Sequence, residues 1–119
     1  MPKAKHGMDR LTNALRYSRQ GLQAAWREEA AFREEAIVVM LSIPLAWWLG
    51  DTPLERVLLI ASVLLVLIVE LLNSAIEAVV DRIGTEQHEL AGRAKDMGSA
   101  AVLLTIFLSI LIWLGILFT

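Results

Sequence analysis

The sequence contains no cysteine, which excludes disulfide scaffolds, Cys-ligated zinc and thiol catalysis. Charge is sparse as well: only 20% of the 119 residues are charged, and 11 basic against 13 acidic residues leave a net charge of −2. A balance so near neutrality does not suit a general nucleic-acid binder, and no nucleic-acid partner is expected. The seven glycines are too scattered to form G-x-x-x-x-G-K-[ST] or G-x-G-x-x-G, and the protein-kinase signature set is missing too. Apolar residues are what the chain has in plenty, at 56% of the total with a mean hydropathy of +0.57. That excludes a disordered chain, and a soluble domain of this length could not bury so much apolar surface. A membrane accounts for it.

Three uncharged runs organise the chain: 15 residues from Ala36 to Gly50, 13 from Val57 to Val69 and 23 from Met97 to Thr119. The last is long enough to cross a hydrocarbon core of about 30 Å. The first two reach that length once interfacial residues are added, Glu29 to Glu35 for one and Glu70 to Glu77 for the other. Pro44 interrupts the first run, which a lipid-embedded helix tolerates. Ahead of these runs, Leu11, Ala14, Leu15, Leu22, Ala25 and Trp26 recur at helical spacing, with Arg16, Arg19, Gln20, Gln23 and Arg27 on other faces. Such a basic helix with an apolar stripe lies in the headgroup plane; the alternative is a partly ordered soluble arm. The expected fold is thus an all-α membrane protein of one domain, with an interfacial helix over 5–28 and spans over 29–50, 53–83 and 91–119. A cytoplasmic loop covers 84–90. Basic residues crowd the segment before the first span and the second loop (Arg82, Arg93, Lys95), so both are expected on the cytoplasmic side. The carboxyl terminus then lies outside. No cleavable signal peptide is evident.

The middle span carries the strongest chemical signal. Thr52-Pro53-Leu54-Glu55 is a helix start, and Gly84 marks the stop, in the position that favours a left-handed residue. Glu70 lies 17 residues beyond Pro53, about 26 Å along the axis, just inside the cytoplasmic boundary of the hydrocarbon. Glu70, Asn73, Ser74, Glu77 and Asp81 follow at offsets 0, 3, 4, 7 and 11, a single helical stripe. An acid at membrane depth marks function unless it serves only as polar glue between helices. Glu70 and Glu77, about 10.5 Å apart along the axis, suit distinct roles: proton transfer at the drier Glu70, a cation at Glu77. Glu29 with Glu77 supplies the few oxygen ligands that magnesium takes from protein, although Glu28, Glu29, Glu34 and Glu35 also read as an exposed charge cluster. Gly98, Ser99, Ala100 and Ala101 permit close helix contact. Lys95 beside them is either a phosphate contact or a snorkelling interfacial lysine. His88 is a weak candidate ligand or base.

Two stretches resemble the signature of the prokaryotic integral-membrane diacylglycerol kinases: Glu70-Leu71-Leu72-Asn73-Ser74-Ala75-Ile76-Glu77-Ala78-Val79-Val80-Asp81-Arg82, and His88-Glu89-Leu90-Ala91-Gly92-Arg93-Ala94-Lys95-Asp96-Met97-Gly98-Ser99-Ala100-Ala101. Ala24-Ala25-Trp26 and Glu29-Ala30-Ala31-Phe32-Arg33 fit as well. The resemblance implies a homotrimeric helical bundle in the bacterial inner membrane. It implies transfer of the γ-phosphoryl group of ATP, with Mg²⁺, to diacylglycerol, at sites shared between subunits. By the same resemblance Glu70 is the general base, and Glu29 and Glu77 hold the metal. Arg10, Tyr17, Glu29, Glu77, Glu86, Gln87, His88, Lys95 and Asp96 contact nucleotide. Asn73 and Ser99 support the inner site. The lipid-binding surface comprises Arg10, Ala14, Leu15, Arg16, Tyr17, Ser18, Arg19, Gln23, Ala24, Ala25, Trp26, Ala31, Phe32, Arg33, Glu34 and Glu35, with Glu70 and Ser99 at its inner edge. Arg19, Glu28 and Gln87 depart from the family pattern. The competing readings are a polyprenol (undecaprenol) kinase on the same scaffold and a small non-catalytic membrane protein.

Overall fold

The computed structural model describes residues 7–84 and 89–119. These form four helices, α1 (Gly7–Glu28), α2 (Ala30–Leu49), α3 (Pro53–Ile83) and α4 (Glu89–Leu117), in a body of 48 × 42 × 22 Å. The closest packing joins α3 to α4 and α2 to α3, whereas α1 touches mainly α2. Helix α4 begins at Glu89, inside the stretch expected as loop, and places an acid in its first turn where the helix dipole favours one. Glu86, Gln87 and His88 lie outside the described residues.

Each helix boundary has a local cause. The break between α1 and α2 falls on Glu29, which is extended (φ −118°, ψ 106°) and acts as the N-cap of α2 without using its side chain. Arg33, one turn into α2, donates from Nη1 to the carbonyls of Trp26 and Arg27 at 2.8 and 3.1 Å, capping the end of α1. Helix α3 starts as its sequence indicates: Thr52 accepts from the Glu55 N–H at 3.2 Å and Pro53 occupies the first turn. The Glu55 carboxylate reaches back one residue further than a standard capping box, accepting from the Asp51 N–H at 2.9 Å. Arg56 repeats Arg33's device at the other turn, donating from Nε to the carbonyls of Trp47 and Gly50 while stacking on the Trp47 ring. Gly84 ends α3 with φ 159° and ψ 152°, not the left-handed helical conformation expected, but a region that side chains rarely adopt.

Two helices, α3 and α4, are long and apolar enough to cross a membrane. The expected span over 29–50 does not meet the same measure. The reason lies in its register: any 18-residue stretch of this 20-residue helix includes Arg33, Glu34 and Glu35. Pro44 sits inside α2 without ending it. Between their charged ends the outward faces of α2, α3 and α4 are largely apolar, with Leu41, Trp48, Leu104 and Leu111 among the most exposed side chains. On α1 the expected stripe of Leu11, Leu15, Leu22 and Trp26 is likewise uncovered, while Ala25 packs with Phe32 and Ala36 of α2 against Leu67 and Leu71 of α3. Polar groups sit inside instead. Ser62 and Ser109 meet at 3.0 Å between α3 and α4, and the Trp113 indole N–H donates to the Leu59 carbonyl and the Ser62 hydroxyl.

Candidate functional site

The helical repeat of α3 turns the polar stripe inward at the end of the bundle nearest Glu29. Glu70 is only 5% exposed, Asn73 and Ser74 are buried, Glu77 is half-buried and Asp81 is exposed, so the stripe grades from dry to wet along the helix. Within a single chain the first three members are already buried, whereas Glu77 and Asp81 keep access to solvent. Asn73 is clamped. Its Nδ2 donates to Glu77 Oε1 at 3.3 Å, and its Oδ1 lies so close to Gly98 of α4 that a Cβ there would collide with it. Gly98 therefore lets α4 approach α3 at this level, as the small-residue run indicates.

Three features of the site were not assigned from the sequence. Glu35, expected on the lipid-binding surface, turns inward and stands in hydrogen-bonding contact with Glu70. Its Oε2 is buried with no partner. The signal was present in the periodicity: Phe32, Ala36 and Val39 are buried in the first half of α2, and Glu35 shares their face. Ala25 and Phe32, also expected on the outward surface, turn into the core for the same reason. Finally, Lys95 of α4 pairs with Asp81 of α3, Nζ to Oδ1 at 2.8 Å. Asp81 lies on the stripe but carried no role.

Other expected site residues are spread along the chain. On α1, Arg10, Ala14, Leu15, Arg16, Ser18, Arg19, Gln23 and Trp26 are exposed, and Tyr17 and Ala24 are half-buried. Arg16 lies over the Tyr17 ring, 5.3 Å from its centroid. Ala31, Glu34, Asp96 and Ser99 are exposed, and Arg33 is half-buried in its capping role. Among the described residues no group of three or more His, Asp or Glu gathers to hold a metal by itself. A smaller donor set is present. Desolvation, then repulsion from Glu77, Glu70, Asp81 and Glu28, pushes the Glu29 carboxyl above its ordinary 4.5. An oxygen-seeking cation between Glu29 and Glu77 would relieve that repulsion, and two carboxylates would leave most of a magnesium shell to phosphate and water. Beside Glu29 and Ser74, a cavity of about 490 Å³ opens between α1, the start of α2 and α3, its walls otherwise mostly apolar (Leu22, Ala25, Leu71, Ala78).

Fold and site together define a helical membrane protein whose polar chemistry is gathered at one end of an apolar bundle. Comparison with known proteins carries this to a family. The family described as prokaryotic diacylglycerol kinase matches residues 16–117. A diacylglycerol kinase of Escherichia coli (strain K12) is 60% identical over 107 residues, covering 90% of this chain and 88% of its own. Those of Haemophilus influenzae and Pseudomonas aeruginosa are 54% and 49% identical, covering 94% and 97% of this chain and 95% and 94% of their own. The chain belongs to the prokaryotic diacylglycerol kinase family, and it is a lipid kinase.

Proposed function

We propose that this diacylglycerol kinase transfers the γ-phosphoryl group of ATP to the free hydroxyl of diacylglycerol at the cytoplasmic face of the bacterial inner membrane, releasing ADP and phosphatidic acid. The observation that carries the reading is Glu70, a carboxyl only 5% exposed and followed on the same stripe by groups of increasing exposure; 17 residues from the start of α3, it stands in this reading at the depth where a diacylglycerol hydroxyl sits. In the reaction Glu70 accepts the hydroxyl proton as the lipid oxygen bonds to the γ-phosphorus. The bond from that phosphorus to the β,γ-bridging oxygen breaks, and ADP leaves with the electron pair. Phosphoryl transfer needs positioning and charge neutralisation more than covalent help. Asn73 orients Glu77, and Glu29 and Glu77 would hold Mg²⁺, which when bound neutralises the triphosphate. Lys95 adds a point charge on the phosphates. Asp96, and Glu86, Gln87 and His88 from the connection before α4, complete the nucleotide contacts, with Ser99 at the lipid edge. The apolar cavity beside Glu29 suits an acyl-glycerol chain.

Helix α2 is the third crossing in this reading, its charged first turn at the cytoplasmic interface and residues 36–50 in the hydrocarbon, with Glu29 ahead of the crossing. Trp47, Trp48 and Trp113 then mark the outer interface, and the carboxyl terminus lies outside. The length of α1 supports a homotrimer with shared sites. Arg10 is 18 residues from Glu28, about 27 Å along a straight helix, too far to serve the same nucleotide as its own Glu29. A neighbouring subunit brings its Arg10 and Tyr17 to the site instead.

The test is phosphorylation by the purified protein in lipid bicelles, with MgATP and a panel of diacylglycerol, undecaprenol and soluble alcohols. Phosphatidic acid as the dominant product supports the reading. Preference for undecaprenol replaces it with a polyprenol kinase.

A further inference from the structure

The Asp81–Lys95 pair is the one ion pair among the described residues that joins two helices at the site. Asp81 follows Glu77 by a single turn, about 6 Å toward the cytoplasm. Its partner enters from α4 on the far side of the connection between the two helices. A lysine on an exposed helix end otherwise sweeps a wide volume, because its four-carbon stem is flexible. Here the side chains are 45% and 59% exposed, so water competes for both. The 2.8 Å contact nevertheless holds Nζ against Asp81, at the wet end of the stripe.

We propose that Asp81 is a positioning residue for the nucleotide: it holds the Lys95 ammonium one turn above Glu77. One of the three N–H donors is spent on Asp81, leaving two for phosphate oxygens. The inference rests on the reading of Lys95 as a phosphate contact and adds a residue to it. A carboxylate beside a polyanion site repels the ligand when alone, so Asp81 is useful there only through its cation. This gives the proposal its signature. With Lys95 present, removing Asp81 weakens nucleotide binding; with Lys95 gone, removing Asp81 no longer weakens it.

The experiment is a double-mutant cycle on the full-length protein in bicelles, read as the affinity for the magnesium complex of a non-hydrolysable ATP analogue, which is independent of turnover. D81A is expected to weaken binding roughly three- to fivefold, the upper part of the range for an exposed pair. D81N, which keeps an oxygen acceptor, falls between D81A and the parent. On a K95M background D81A leaves binding unchanged or tightens it. An equal loss from D81A with and without K95M overturns the proposal, as does a D81A variant that binds as well as the parent. If K95M itself has no effect on affinity, the reading of Lys95 fails and the proposal with it. If K95M weakens binding and D81A does not, only the proposal fails. Thermal unfolding and oligomer size checked on the same samples assign any loss to the site rather than to the fold.

Discussion

The two ends of the bundle treat polar groups in opposite ways. At the end marked by Trp47 and Trp113, the polar groups that matter are matched. Arg56 satisfies the last carbonyls of α2, Thr52 and Glu55 cap α3, and Ser62, Ser109 and Trp113 close on one another. At the Glu29 end the account stays open. Among the described residues the buried side-chain atoms without a partner are Glu35 Oε2 and Asn73 Oδ1, and both belong to the stripe or face it. Carboxyls there meet carboxyls. Buried polar groups are normally satisfied, and the exceptions call for an explanation. One end is built to hold helices together; the other keeps its polar capacity for substrate, cation and proton.

Substitutions at the open end should lower activity, with or without a cost to the fold, and those at the closed end should lower stability alone. The largest effect belongs to Glu70→Gln, expected to lower phosphatidic acid formation by roughly 10²–10⁴-fold with the fold intact. Near-parental turnover in a lipid phosphorylation assay would remove Glu70 from the role of base. Gly98→Ala comes next. Its methyl group collides with Asn73 Oδ1, so Asn73 or α4 must move, at a cost of about 1–3 kcal/mol in stability. Turnover should fall about tenfold, on the order of 1.4 kcal/mol of barrier, as Glu77 loses its fixed donor. If turnover held while stability fell, the Asn73–Glu77 contact would be structural only.

At the closed end, Trp113→Phe removes the donor to Leu59 and Ser62, and is expected to cost about 1 kcal/mol of stability. Its kcat should match the parent's; a large loss of kcat would show that the two ends are not separable. The smallest effect is on pH dependence. Glu29 has its carboxyl pKa raised in the folded protein, so the fold loses stability as pH climbs from 4.5 toward that raised value. Without divalent cation, Glu29→Gln should therefore raise Tm modestly at neutral pH, and the gain should vanish below pH 4.5. Added Mg²⁺ should stabilise the parent more than the variant. Equal Mg²⁺ stabilisation of both would place the cation elsewhere.

The parts of this architecture legible in the sequence are those set by short-range chemistry. Thr52, Pro53 and Gly84 mark the limits of α3, and the offsets from Glu70 to Asp81 place five polar residues on one face. The length of the last uncharged run made α4 a crossing. Two matters cannot be read from runs of residues. A charge cluster such as Arg33, Glu34 and Glu35 looks uniformly interfacial in a linear sequence. Yet consecutive helical residues point about 100° apart, so Arg33 caps α1, Glu34 faces out and Glu35 meets Glu70. How far the stripe is shielded is equally out of reach of a linear reading, because it depends on how closely α4 approaches at Gly98.

By itself the sequence determined that the chain is helical and membrane-seeking, where α3 starts and stops, and which side chains share its polar face. These follow from hydropathy, capping and a 3.6-residue repeat, all properties of neighbours along the chain. Only the tertiary structure decided which partners those side chains meet: Glu35 for Glu70, Gly98 for Asn73, Lys95 for Asp81. Such pairings depend on the rotation and separation of helices against one another, which close packing sets to within a fraction of an ångström and no local rule encodes.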